Sequence, residues 1–70
     1  GKPPAAPSTA PPMTNTDVID LRKAGLDDTN LIASIRDAGA VAFDLSPAGL
    51  NALLSGKVSN AVIAAMRERK

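Results

Sequence analysis

Cysteine, histidine, tryptophan and tyrosine are all missing from these 70 residues, and Phe43 is the single aromatic. Without cysteine or histidine, nucleophile–base pairs built on them and the usual zinc sites are excluded. No disulfide can staple the fold, and the missing thiols are compatible with an oxidising or a reducing compartment. No stretch approaches the roughly 18 consecutive apolar residues of a membrane span, and no signal peptide is visible. An excess of one charge is lacking too. Eight Lys/Arg stand against seven Asp/Glu, and because Lys2 lies in the leader, residues 13–70 carry seven of each. Nucleic-acid modules usually show a marked basic excess, and this chain does not.

Proline is abundant, but at one end. Residues 1–12, GKPPAAPSTAPP, hold five of the six prolines and no large apolar side chain. Proline fixes φ and removes backbone donors, so this leader reads as a disordered, extended Pro/Ala linker reaching about 3.1 Å per residue where it is polyproline-like. Gly1-Lys2 reads as a cleavage scar, which would make the chain a fragment of a longer protein. Residues 13–70 then form one domain. The apolar fraction of 44% includes 13 alanines, which leaves 18 larger apolar side chains for a core. Small cores of this kind support a stability of roughly 3–5 kcal/mol.

A pattern runs through the domain twice. Leu21, Gly25, Leu31-Ile32 and Ile35 are followed by Leu53, Gly56, Val62-Ile63 and Met66. The leucines are 32 residues apart and the later positions 31, so the turns differ by one residue. One helical hairpin cannot bury its own apolar face, whereas two packed together can. The expectation is an all-α, four-helix domain made of two related hairpins. The first helix covers Asn15 to Ala24, opened by a Thr14/Asp17 capping box and closed at Gly25. Asp27 or Asp28 caps a second helix running to Ala38 and stopping at Gly39. Ala40 to Leu45 is an extended connector. Ser46-Pro47 starts a third helix that runs to Ser55 and ends at Gly56. Ser59 caps a fourth that ends in Arg67, Arg69 and Lys70, charges suited to a helix C-terminus. Phe43 is expected as a plug between the hairpins and Met66 as core.

Little of the remaining chemistry points to a reaction. Asp27-Asp28 lacks the alternating ligands and terminal glutamate of a calcium loop and sits where carboxylates cap backbone N–H groups. Asp44 suits a turn before Ser46. Ser–Lys or paired-carboxylate catalysis is compatible with the composition, but a domain this small lacks the volume for a substrate cleft. The chain therefore reads as non-enzymatic, with no catalytic residue, cofactor or metal. Gly25 and Gly56 raise a helix-hairpin-helix reading, in which a glycine turn binds DNA phosphate at a helix N-terminus. Gly25-Leu26-Asp27-Asp28 puts two carboxylates where the phosphate would go.

Departures from the repeat are more informative. Ile19 is apolar where the second copy has Asn51, and Leu54 is apolar where the first has Arg22. Such residues pack the hairpins asymmetrically or lie on a partner surface. Ala61, Ala64 and Ala65 form a small-residue face that would let another helix approach. Lys57, Arg67 and Arg69 complete the candidate partner-binding set.

At Ala24-Gly25-Leu26-Asp27-Asp28, Phe43-Asp44-Leu45-Ser46 and Val58 to Met66 the chain resembles a family of short bacterial helical-hairpin repeats. The resemblance covers residues 14–67, and the chain departs from it at Ser55-Gly56-Lys57, where Ala-Gly is more usual. It implies an accessory module beside linkers in a larger bacterial protein, envelope-associated or cytoplasmic, and carries over no catalytic residue. A similarity to peripheral subunit-binding domains fails on their missing Gly-Thr-Gly turn. The expected function is a protein–protein docking module on a Pro/Ala tether, partnered by another protein or another domain of the parent, with weak self-association also open. The alternative is a weak nucleic-acid binder using Lys57, Arg67, Arg69 and Lys70.

Overall fold

The computed structural model describes residues 11–69; the expected linker, apart from the exposed Pro11 and Pro12, lies outside the described residues, as does Lys70. The domain is all-α, with helices α1 (Asn15–Lys23), α2 (Asp28–Asp37), α3 (Pro47–Ser55) and α4 (Asn60–Arg69). No helix among the described residues is long and apolar enough to cross a membrane.

Each helix is opened by the side chain the sequence implies. Thr14 and Asp17 form a reciprocal capping box, with Thr14 N–H donating to Asp17 Oδ2 at 2.9 Å. Asp27, not Asp28, caps α2, accepting from Asn30 N–H at 2.9 Å. Ser46 accepts from Gly49 N–H and Ser59 from Val62 N–H, each at 3.3 Å. These bonds satisfy donors that a helix start leaves orphaned.

The two turns close as Schellman motifs. Leu26 N–H donates to Leu21 O and Gly25 N–H to Arg22 O, both at 3.1 Å; Val58 N–H donates to Leu53 O and Lys57 N–H to Leu54 O, both at 3.0 Å. Gly25 holds the left-handed position of the first turn at φ +106°, and Lys57 holds it in the second at φ 68°. Gly56 sits one residue earlier, at φ −84°. Thus Gly25 corresponds to Lys57 rather than to Gly56, and α3 and α4 begin and end 32 residues after α1 and α2 without exception. The expected difference in turn length is absent. Instead the apolar residues of α4 fall one position early in a constant backbone frame. One residue turns a helical face by about 100°, so α2 buries Leu31 and Ile35 while α4 buries Val62, Ile63, Ala65 and Met66.

Val18, Leu31, Ile35, Leu53, Val58, Val62, Ile63, Ala65 and Met66 form the buried core, and no polar side chain among the described residues is buried with them. α2 packs along α4 and α1 along α3. Phe43 packs against this cluster but is half-buried rather than enclosed as a plug. The connector after α2 is tied down by the chain entering α1. Met13 pairs in parallel with Val41 through Met13 N–H to Ala40 O (2.9 Å) and Ala42 N–H to Met13 O (2.8 Å). Beyond it, Asn15 Nδ2 donates to Asp44 O at 2.7 Å and its Oδ1 accepts from Asp44 N–H at 3.0 Å. Gly49 lets α3 sit directly on this segment, since a Cβ there would overlap the Asp44 carbonyl. Gly39 has no capping role: α2 ends at Asp37 and Ala38 is already extended (φ −60°, ψ 135°).

Candidate interaction surface

The two hairpins stack side by side, in parallel. At one end Asn15 of α1 holds Asp44, three residues before α3. At the other, Arg22 of α1 donates from Nε to Lys57 O at 3.2 Å and from Nη1 to Leu26 O at 3.3 Å. One guanidinium therefore joins the turn of its own hairpin to the turn of the next, with the planar multi-donor geometry that lysine lacks. α4 is fastened to α2 in the same sense. Arg69 Nη1 donates to Ile35 O (2.8 Å) and Arg36 O (2.9 Å), supplying the C-terminal carbonyls of α2 with the donors its extended C-cap does not provide. An exposed Arg36–Glu68 ion pair at 3.7 Å lies alongside; such a pair contributes little energy.

Sites 32 residues apart have unequal surroundings, which shows that the hairpins meet through different faces. Gly56 is buried beneath Ile19, whereas its counterpart Ala24 is exposed. Ile35 and Met66 are fully buried, whereas their counterparts Arg67 and Ser34 are exposed and half-buried. A two-fold arrangement would bury the same face of both. This one is heterologous, so one face of each hairpin is left open.

The sequence-selected residues divide accordingly. Leu54 is 52% exposed and is the one large hydrophobic side chain so exposed among the described residues. It stands on α3 at the counterpart of Arg22. Ala61 and Ala64 are exposed on α4, and so is Arg67. Ala65 leaves the proposed face: it is 4% exposed and belongs to the core. Ile19 is half-buried, and a Cβ on Gly56 would lie 2.9 Å from its Cγ2, so it fills the space between hairpins instead of lying open. Arg69 is half-buried and committed to α2. Lys57 is exposed but earns its place through backbone, its carbonyl receiving Arg22. Of the basic cluster, Arg69 is thus committed to α2 while Lys57 and Arg67 are exposed, and Asp27 caps an N–H group a phosphate would use in the first turn. Among the described residues no group of three or more metal-ligating side chains comes together.

Two features escaped the sequence reading. Arg22 registered only as the polar counterpart of Leu54; arginine two residues before a helix C-cap is a signal for carbonyl capping, but its second acceptor is 35 residues away. An open groove of about 400 Å³ also runs along α2, lined by Thr29, Ile32, Ala33, Arg36 and Asp37. The i, i+3, i+4, i+7, i+8 spacing of these residues makes a stripe, but only Ile32 among them is a large apolar residue. No family model, curated protein or solved structure matches the chain.

Proposed function

We propose that this chain is a non-enzymatic protein–protein docking module, carried on its Pro/Ala leader as a tether to a larger bacterial protein. The two hairpins are read as copies of one unit, of the short bacterial accessory-module kind that the sequence resembles. The observation that carries the reading is Leu54. Where the first hairpin places an arginine that clamps the next turn, the second presents an exposed leucine. A tether of this type sets reach and effective concentration for a contact too small to be strong alone. Neutral charge over residues 13–70 and the engagement of Arg22 and Arg69 in carbonyl capping weigh against phosphate recognition.

The test is capture from source lysate on the immobilised full chain beside a Leu54→Asp variant, with and without nuclease. A protein held by the wild type in both halves and lost by Leu54→Asp supports docking. Equal retention by Leu54→Asp removes Leu54 from the surface. Retention abolished by nuclease replaces the reading with nucleic-acid binding.

A further inference from the structure

We propose that the open face of the second hairpin takes the first hairpin of a second copy of this chain, stacked in the same parallel register that joins the two hairpins within one molecule. The proposal deepens the docking reading by naming an occupant, and it rests on that reading.

The argument is continuity with the interface already built. Because the internal interface is heterologous, its two halves survive at the two ends of the molecule: the upper half on α3–α4 and the lower half on α1–α2. A 32-residue displacement maps one onto the other. Within the molecule Arg36 faces Glu68. One step further, Glu68 faces Arg36 of the second copy. Positions 37 and 69 carry aspartate and arginine, so Asp37 of the second copy stands where Arg69 stands inside the molecule. The 36/68 column therefore alternates in sign along the stack, and each step along it brings opposite charges together. Leu54, in place of Arg22, lands on the exposed Ala24-Gly25 turn of the second copy, where no side chain obstructs it. Ala33 of the groove takes the place that Ala65 occupies inside the molecule, and both are small enough for close helix approach.

The same map explains why such a contact is weak. α4 brings Val62 and Met66 to the internal interface, whereas the lower face of α2 offers Asn30 and Ser34 at those positions. The next interface also lacks both arginine clamps. Small, polar interfaces of this type belong to transient association, and open heterologous contacts propagate end to end rather than closing.

The experiment is sedimentation of the 70-residue chain over a dilution series reaching about 1 mM, the range where transient contacts populate. Two variants accompany it: Leu54→Asp, which spoils only the upper face, and Ala33→Arg, which blocks only the lower. Both positions are exposed, and circular dichroism checks that each variant folds. The expected result is a wild-type average mass that rises with concentration, two variants that remain monomeric, and an equimolar mixture of them that forms a one-to-one dimer and nothing larger. Wild-type chain that stays monomeric throughout overturns the proposal while leaving lysate capture to decide the docking reading. Wild-type association that neither variant affects, or variants that fail to complement each other, also overturns it.

Discussion

Replacing Lys57 with glycine stabilises the protein, although it deletes a side chain and adds no contact. Lys57 holds the left-handed C′ position of α3 at φ 68°. There an L-residue's Cβ crowds the following carbonyl at a cost of about 1–2 kcal/mol. Among the described residues its side chain makes no hydrogen bond; the bonds at this site use its N–H, to Leu54 O, and its carbonyl, from Arg22. Glycine keeps both. Its greater freedom in the unfolded chain returns about 0.5–1 kcal/mol of the gain, so the net is about 0.5–1 kcal/mol. For a domain of this size that raises the melting temperature by about 3–6 °C. Thermal and urea unfolding followed by circular dichroism reads it, with an unchanged m-value as the sign that the native state is intact. The first turn supplies the reverse experiment. Nothing lies within 4 Å of a Cβ built on Gly25, whose φ is +106°, so Gly25→Lys is destabilising through backbone conformation alone. A Lys57→Gly protein no more stable than wild type, or a harmless Gly25→Lys, refutes the assignment of the left-handed residue.

Gly56→Ala drives a Cβ to 2.9 Å from Ile19 Cγ2 and costs about 1–3 kcal/mol by overpacking; in an Ile19→Ala background most of that cost disappears, and additive losses in a double-mutant cycle exclude the contact. Arg22→Ala removes donors to two carbonyls and destabilises by about 1–3 kcal/mol, with Arg22→Lys restoring only part; full rescue by lysine in chemical denaturation contradicts a two-turn clamp. The Ser46 hydroxyl and backbone N–H both donate to Asp44 and hold its carboxyl below the ordinary aspartate range. A depressed folded-state pKa contributes stability above the unfolded value, lost as pH falls through the folded one, so urea midpoints drop below about pH 4 and Asp44→Asn flattens that acid limb. An acid limb unchanged in Asp44→Asn assigns it to other carboxylates.

Helix positions were legible because their starts are written in single side chains. Thr14, Ser46 and Ser59 each name a boundary, Asp27-Asp28 narrows one to two residues, and Pro47 confirms one. The second turn is not legible in the sequence because glycine is the expected occupant of a left-handed position, and Gly56 stands next to the residue that holds it, Lys57. Gly56 is needed for another reason, the approach of Ile19 from a helix 37 residues away in sequence, which no local pattern records. That substitution of roles also displaced the repeat by one residue, making a rotation of the α4 face look like a shorter turn. On the surface, Leu54 was legible as a departure from its counterpart, but the same comparison could not separate it from Ile19. Helical spacing and charge place Ala65 and Arg69 on an open face, but which side of α4 meets α2 is decided only by packing. Asn15 gave no signal, since both of its partners are on Asp44.

The tie between Met13 and the connector has a mechanical consequence. Tension arriving through the chain before Met13 does not begin by unravelling α1. It meets two backbone hydrogen bonds to residues 40 and 42 and, just beyond, the paired bonds of Asn15 with Asp44. Force therefore enters at the seam between the hairpins and is shared by both, so the element that opens first under a pull is this clasp, with the helices still wound behind it.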